Sequence, residues 1–273
     1  MDKKPKGTLI IIGGHEEKAG DRVILTEVSK RARQGKGHLV LTTVASQVPK
    51  ELEEEYRKVF AELGVRRVDA LSIRMREEAY DDANVKTIMK ASAVFFTGGD
   101  QLRITSQIGD SPIYRCLTDI YQNGGTIIGT SAGAAAMSET MLIGGPGDAS
   151  HEISALSMAP GLGLLAGVVI DTHFAERGRI GRLLGVVAQN PKNLGLGIDE
   201  DTAIVVDKGE SFTVIGSGAV YVVDGMDVAY SNLSEENPSG ILTIHNIKLH
   251  VLGEGDHYDL RNRCPVVPRD VAA

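Results

Sequence analysis

Thr126-Ile127-Ile128-Gly129-Thr130-Ser131-Ala132-Gly133-Ala134 carries a strand, a tight turn and the start of a helix in one short run. The apolar Thr126–Gly129 segment predicts a buried strand, and the small residues Ala132–Met137 predict a helix. Between them Gly129-Thr130-Ser131-Ala132-Gly133 fits G-x-S-x-G, which in a strand–turn–helix context marks a nucleophile elbow. The flanking glycines let the backbone turn sharply, so Ser131 would present its hydroxyl at the carboxyl end of a sheet strand. The amide of Ala132 would then point to where an oxyanion forms. The plainer alternative is a strand–helix turn whose serine only caps the helix.

Upstream of this turn the chain alternates short apolar runs with helical patterns. Strands are predicted over Thr8–Ile12, His38–Val44, Val68–Ile73 and Ala93–Thr97, and helices over Arg22–Arg33, Lys50–Leu63, Asp81–Lys90 and Pro112–Tyr121. Within Lys50–Leu63 the apolar residues Leu52, Tyr56, Val59, Phe60 and Leu63 would share one helix face. Such alternation implies a parallel sheet with right-handed crossovers. Downstream, Gly144–Gly167 is rich in Gly, Ser, Ala and Pro and reads as a long ordered loop. Val168–Asp171 reads as another strand and Ile180–Gln189 as a helix. Beyond Leu196, Ile198, Ala203–Val206, Phe212–Ile215, Val220–Val223 and Leu249–Leu252 are short runs set off by turn signals such as Asp207-Lys208-Gly209. They predict antiparallel strands that extend or cover one edge of the sheet. Arg261–Ala273, with Pro265 and Pro268, reads as a mobile tail. No compositional break separates the halves, so residues 1–273 read as a single α/β domain. Its sheet is mostly parallel and sandwiched by helices, with extra antiparallel strands in the C-terminal third.

Composition narrows the chemistry. With 273 residues, 42% of them hydrophobic, the chain can bury a sizeable core. Its 36 acidic residues against 29 basic ones give a net charge of −7, which repels phosphate backbones and argues against nucleic acid as a partner. No apolar run nears the roughly 20 residues of a membrane helix. Leu9–Ile12 is too short for a signal segment, so a cytoplasmic protein is expected. Cys116 and Cys264 are far apart and form no C-x-x-C, which supports neither zinc nor a redox pair. Gly13-Gly14-His15-Glu16 departs from the dinucleotide fingerprint G-x-G-x-x-G.

A serine hydroxyl needs an adjacent base. Of seven histidines, His38, His245 and His250 sit in strand patterns, His257 in a polar tail and His151 in the long loop. His15 follows Gly13-Gly14 at the end of the first strand, near the same sheet edge. His173 is best placed, because it closes the apolar run Val168–Asp171. The base in turn needs an orienting acid. Asp199, Glu200 and Asp201 offer three carboxylates, with Asp171 and Asp148 as rivals, and the residues alone leave the choice open. Arg177-Gly178-Arg179-Ile180-Gly181-Arg182 is a basic cluster directly after His173 on an acidic protein. Arginine forks bind carboxylates and stay charged, although a charge run is also the mark of a solvated helix face.

Taken in order, Gly98-Gly99-Asp100-Gln101, Gly129-Thr130-Ser131-Ala132-Gly133, Asp171-Thr172-His173-Phe174 and Gly197-Ile198-Asp199-Glu200 resemble the cyanophycinase family. These are serine exopeptidases related to aspartyl dipeptidase (peptidase E), with a class I glutamine amidotransferase-like, flavodoxin-like fold. The likeness spans nearly the whole chain. It implies Ser131 as nucleophile, His173 as base and Glu200 as orienting acid, with Gly99 and Ala132 supplying oxyanion N–H groups. It implies substrate contacts from Gln101, Asp171, Thr172, Arg177, Arg179 and Arg182. The substrate it implies is cyanophycin, a polyaspartate carrying arginine on each side-chain carboxyl, released as β-Asp-Arg dipeptides. It implies a homodimer that uses no metal and no organic cofactor. A dipeptidase cleaving after an N-terminal aspartate, and a small-molecule binding domain that has lost activity, are the competing readings. A glutamine amidotransferase would carry cysteine where this chain has Ser131.

Overall fold

The computed structural model describes residues 5–34, 37–144, 156–233 and 241–266. Five parallel strands form its centre: β1 (Thr8–Ile12), β2 (His38–Thr42), β3 (Arg67–Leu71), β4 (Ala93–Phe96) and β5 (Thr126–Thr130). Their order across the sheet is β1-β5-β4-β2-β3. The intervening helices are α1 (Val23–Ala32), α2 (Pro49–Glu62), α3 (Asp82–Ile88), α4 (Gln101–Ile108) and α5 (Pro112–Gln122). β1, β2, β4 and β5 are buried on both faces, which is why they read as unbroken apolar runs rather than alternating ones, while β3 at the edge is only partly covered. The two-residue strand period divides β1 between two cores: Leu9 and Ile11 pack with Ile104 and Leu117, and Ile10 and Ile12 pack with Val28 and Phe60.

After β5 comes a single turn, α6 (Ala132–Ala135), shorter than the expected helix. The carbonyls of Ala136 and Met137 accept from the N–H groups of Leu162, Leu164 and Leu165, which ends the helical ladder early. The chain continues through β6 (Thr140–Gly144), β7 (Ser157–Pro160), β8 (Val168–Thr172), α7 (Ile180–Gln189) and β9 (Leu194–Ile198). The remaining strands are β10 (Thr202–Asp207), β11 (Ser211–Gly216), β12 (Val220–Asp224), β13 (Tyr230–Ser231), β14 (Ile244–His245), β15 (Lys248–Leu252), β16 (His257–Asp259) and β17 (Cys264–Val266).

The late strands do two things. β10, β11, β16 and β17 extend the parallel sheet outward from β1, each antiparallel to its neighbour, as expected for an edge extension. β8, β9, β12 and β15 instead form a separate four-stranded sheet in the order β15-β12-β9-β8. Leu183 and Val187 of α7 pack with Phe174 and Val223 in a cluster of their own, which seats that sheet on α7. Two expectations need correction. Part of the stretch read as a long loop is strand β7, antiparallel to β6; residues 145–155 of it, with His151 and Asp148, lie outside the described residues. The segment read as a mobile tail contains β17, paired with β16; residues 267–273 lie outside the described residues.

Candidate active site

Ser131 leaves β5 with φ 53° and ψ −112°, in the positive-φ region that side chains disfavour. Two hydrogen bonds hold it there. Its N–H donates to the Ile12 carbonyl (3.0 Å), and its own carbonyl accepts from Ala135 N–H (3.0 Å). The turn also needs close backbone contact: a Cβ on Gly129 would lie 2.4 Å from the Gly133 carbonyl. The resulting turn lifts Ser131 Oγ to 2.8 Å from His173 Nε2.

His173 follows β8, with its N–H donating to the Gly13 carbonyl at the end of β1 (2.9 Å). Its Nδ1 lies 2.7 Å from Glu200 Oε1, and Glu200 follows β9. Burial holds the His173 pKa below its ordinary 6.5, with Arg177 adding to the effect and Glu200 opposing it. Burial pushes Glu200 upward, but hydrogen bonds from His173 and His15 outweigh it and leave the carboxyl below its ordinary 4.5. At neutral pH Glu200 is therefore a carboxylate that can only accept. The Nδ1 proton of His173 goes to it, and Nε2 is left as an acceptor facing the Ser131 hydroxyl.

The rival acids are occupied elsewhere. Asp199 accepts the N–H groups of Ala175 (2.9 Å) and Ala219 (3.1 Å). Asp201 accepts from Glu17 N–H and the Ser217 hydroxyl, both at 2.8 Å. Among the other histidines, His38 pairs with Asp69 (2.9 Å) and His257 with the Thr213 hydroxyl (2.8 Å).

A cleft of about 260 Å³ opens over Ser131. Gly99, which follows β4, and Ala132, which follows Ser131, both line it. So do Gln101, Asp171, Thr172, Arg177, Arg179 and Arg182. Gln101 is held by donation from Nε2 to the Leu142 carbonyl (2.6 Å). The Asp171 side chain is only 1% exposed and its oxygens face the arginines. Arg182 grips it with Nε (2.6 Å) and Nη2, and Arg179 Nη1 reaches it at 3.2 Å. Asp171 thus anchors two of the three guanidinium groups at the cleft wall, while Arg177 is exposed.

Residues 9–215, from β1 into β11, match the model of peptidase family S51. The chain belongs to that family. This S51 peptidase is 38% identical over 260 residues to the cyanophycinase of Nostoc sp. (strain PCC 7120), covering 94% of this chain and 87% of the relative. It is 35% identical over 267 residues to the cyanophycinase of Geminocystis herdmanii (strain PCC 6308), covering 97% and 98%. The crystal structure of a peptidase from an acI-B1 Actinobacterium shares its fold, with a TM-score of 0.70 at 19% identity over 95% of this chain and 99% of that one.

Other features of the peptidase's site were not read from the sequence. His15 Nδ1 lies 2.9 Å from Glu200 Oε2, so one carboxylate faces two imidazoles. The only signal was the place of His15 at the end of β1. Glu16 is buried and accepts from the Tyr56 hydroxyl and from Thr130 Oγ1 (2.6 Å), bracing the residue before Ser131. The donor atoms of His15, His173 and Glu200 lie within 4.8 Å of one another, close enough to hold a metal ion. A larger cavity, about 460 Å³, lies at the other end of the strands, lined by Arg31, Ser92, Cys116, Gly125 and Thr126. It contains none of the catalytic or substrate-contact residues named above. Among the described residues, no helix is long and apolar enough to cross a membrane.

Proposed function

We propose that this S51 peptidase is a serine exopeptidase that hydrolyses cyanophycin to β-Asp-Arg dipeptides through Ser131, His173 and Glu200. The observation that carries the reading is the unbroken relay from Ser131 Oγ to His173 Nε2 (2.8 Å) and from His173 Nδ1 to Glu200 Oε1 (2.7 Å). As Ser131 Oγ attacks the backbone carbonyl, His173 Nε2 takes its proton and Glu200 stabilises the imidazolium. The N–H groups of Gly99 and Ala132 hold the oxyanion, usually a large contribution in acyl transfer. His173 then protonates the leaving amine, and water resolves the acyl-enzyme by the same path in reverse.

Cyanophycin carries carboxylates, and the cleft wall is lined by Arg177, Arg179 and Arg182. The exposed Arg177 guanidinium suits a carboxylate, and Arg179 and Arg182, two cations held on one Asp171, keep the wall positive toward it. Gln101 and Thr172 supply polar contacts, and Asp171 acts by fixing Arg179 and Arg182. A homodimer working in the cytoplasm belongs to the same proposal, and light scattering tests the assembly.

Incubation with cyanophycin and with Asp-X dipeptides, followed by mass spectrometry, separates the competing activities. β-Asp-Arg from the polymer is the expected product. Cleavage of Asp-X alone would replace the proposal with a dipeptidase. Ser131→Ala should lower kcat by on the order of 10⁴-fold or more at unchanged Tm. An alanine variant as active as the parent rules out Ser131 as nucleophile.

A further inference from the structure

Two imidazoles converge on one carboxylate beside the nucleophile, yet the proposed hydrolysis uses only one of them. His15 Nδ1 sits 2.9 Å from Glu200 Oε2 and His173 Nδ1 sits 2.7 Å from Glu200 Oε1. The two rings meet edge to face with centroids 5.0 Å apart. We propose that His15, His173 and Glu200 bind a divalent transition-metal ion, zinc above all, and that the bound ion switches Ser131 off. The binding stands on the geometry alone; the inhibition rests on the proposed role of His173 as base.

Two imidazole nitrogens and one carboxylate oxygen are a donor set for zinc, with water in the fourth position. Magnesium and calcium prefer all-oxygen sets. Zinc bonds of about 2.0–2.1 Å place tetrahedral ligands roughly 3.3 Å apart. The donors here lie within 4.8 Å of one another, so the site has to contract. The His15 side chain is 71% exposed, which gives it room to swing and leaves the ion a path from solvent. Glu176 Oε1 accepts the Glu200 N–H (3.2 Å), which puts a second carboxyl group next to Glu200, and Arg177 sets a positive charge against them.

The consequence for Ser131 follows from proton positions. To present a lone pair to the ion, each ring gives up its Nδ1 proton and takes one at Nε2, with no net change. Nε2–H of His173 then donates to Ser131 Oγ, and nothing remains to accept the serine proton. The ion also takes Glu200 away from the imidazolium it would stabilise.

Calorimetric titration of Ser131→Ala with ZnCl₂ tests binding in a protein that keeps all three ligands. One ion per chain is expected, weakened at least tenfold when His15→Ala is added. Cys264 is an exposed thiol and a rival donor, so Cys264→Ser should keep the ion. In the activity arm, zinc should inhibit the unaltered peptidase, EDTA should restore it, and MgCl₂ should have no effect. Measured against its own metal-free rate, His15→Ala should need at least tenfold more zinc for half-inhibition. Zinc affinity unchanged by His15→Ala, or lost in Cys264→Ser, overturns the site. If Ser131→Ala stays active while zinc still needs His15, the proposed hydrolytic mechanism fails and the metal site stands.

Discussion

On the proposed mechanism, whether the Ser131 hydroxyl works as a nucleophile is set by whether one imidazole is neutral. Burial keeps the His173 pKa below 6.5, so the ring remains an acceptor in mildly acid solution. The acid limb of kcat/KM should therefore have its midpoint below 6.5, activity being lost as pH falls through the depressed value. Arg177→Ala removes a positive charge that helps hold that value down, so its acid limb should move upward, toward 6.5. A pH–rate profile of both proteins checks the sign. The same shift links to folding. As pH falls below about 6.5 the unfolded chain takes up a proton that the folded ring resists, so His173 contributes less stability in acid. At this scale Ser131 was legible because a glycine stands two residues to either side of it and its context is a strand and a helix. Glu200 was not separable from Asp199 and Asp201 by residue type. Only position shows that Asp199 and Asp201 serve backbone N–H groups and a serine while Glu200 reaches the imidazole.

Among the elements, β5 and α6 make a close backbone contact beside the site. Gly129→Ala would drive a methyl into the Gly133 carbonyl, 2.4 Å away. It should cost about 3 kcal/mol by displacing backbone rather than a side chain. For a chain of this size that is roughly a 6–12 °C fall in Tm by calorimetry, accompanied by loss of activity. The strands buried on both faces could be found in the sequence because they are continuous apolar runs. β7 could not, since Ser157-Met158-Ala159-Pro160 has neither alternation nor a β-branched residue and ends in proline. α4 did leave a signal: Ile104 and Ile108 are four apart and buried, and Asp100 caps the helix by accepting Leu102 N–H (2.9 Å).

Across the whole molecule, the relay is divided between two sheets. Ser131 stands on the large one, and His173 and Glu200 on the four-stranded one. The end of β1 joins them. His173 N–H bonds to the Gly13 carbonyl and Asp201 N–H to the Gly14 carbonyl, each at 2.9 Å. Gly14 has φ +109°, and a Cβ there would lie 2.3 Å from His173 Cε1. Gly14→Ala should therefore displace the imidazole and lower kcat by about 100-fold or more. Urea denaturation should show a smaller proportional change, because the hydrophobic cores are untouched. This division was hidden in the sequence, where a strand pattern says which residues are extended but neither what they pair with nor which sheet receives them. It also has a consequence during synthesis. A chain that has left the ribosome only as far as β7 carries the serine without its ring or its carboxylate. If the proposed relay is the active one, the newborn polypeptide is chemically silent toward its surroundings until Glu200 has emerged and both layers have closed.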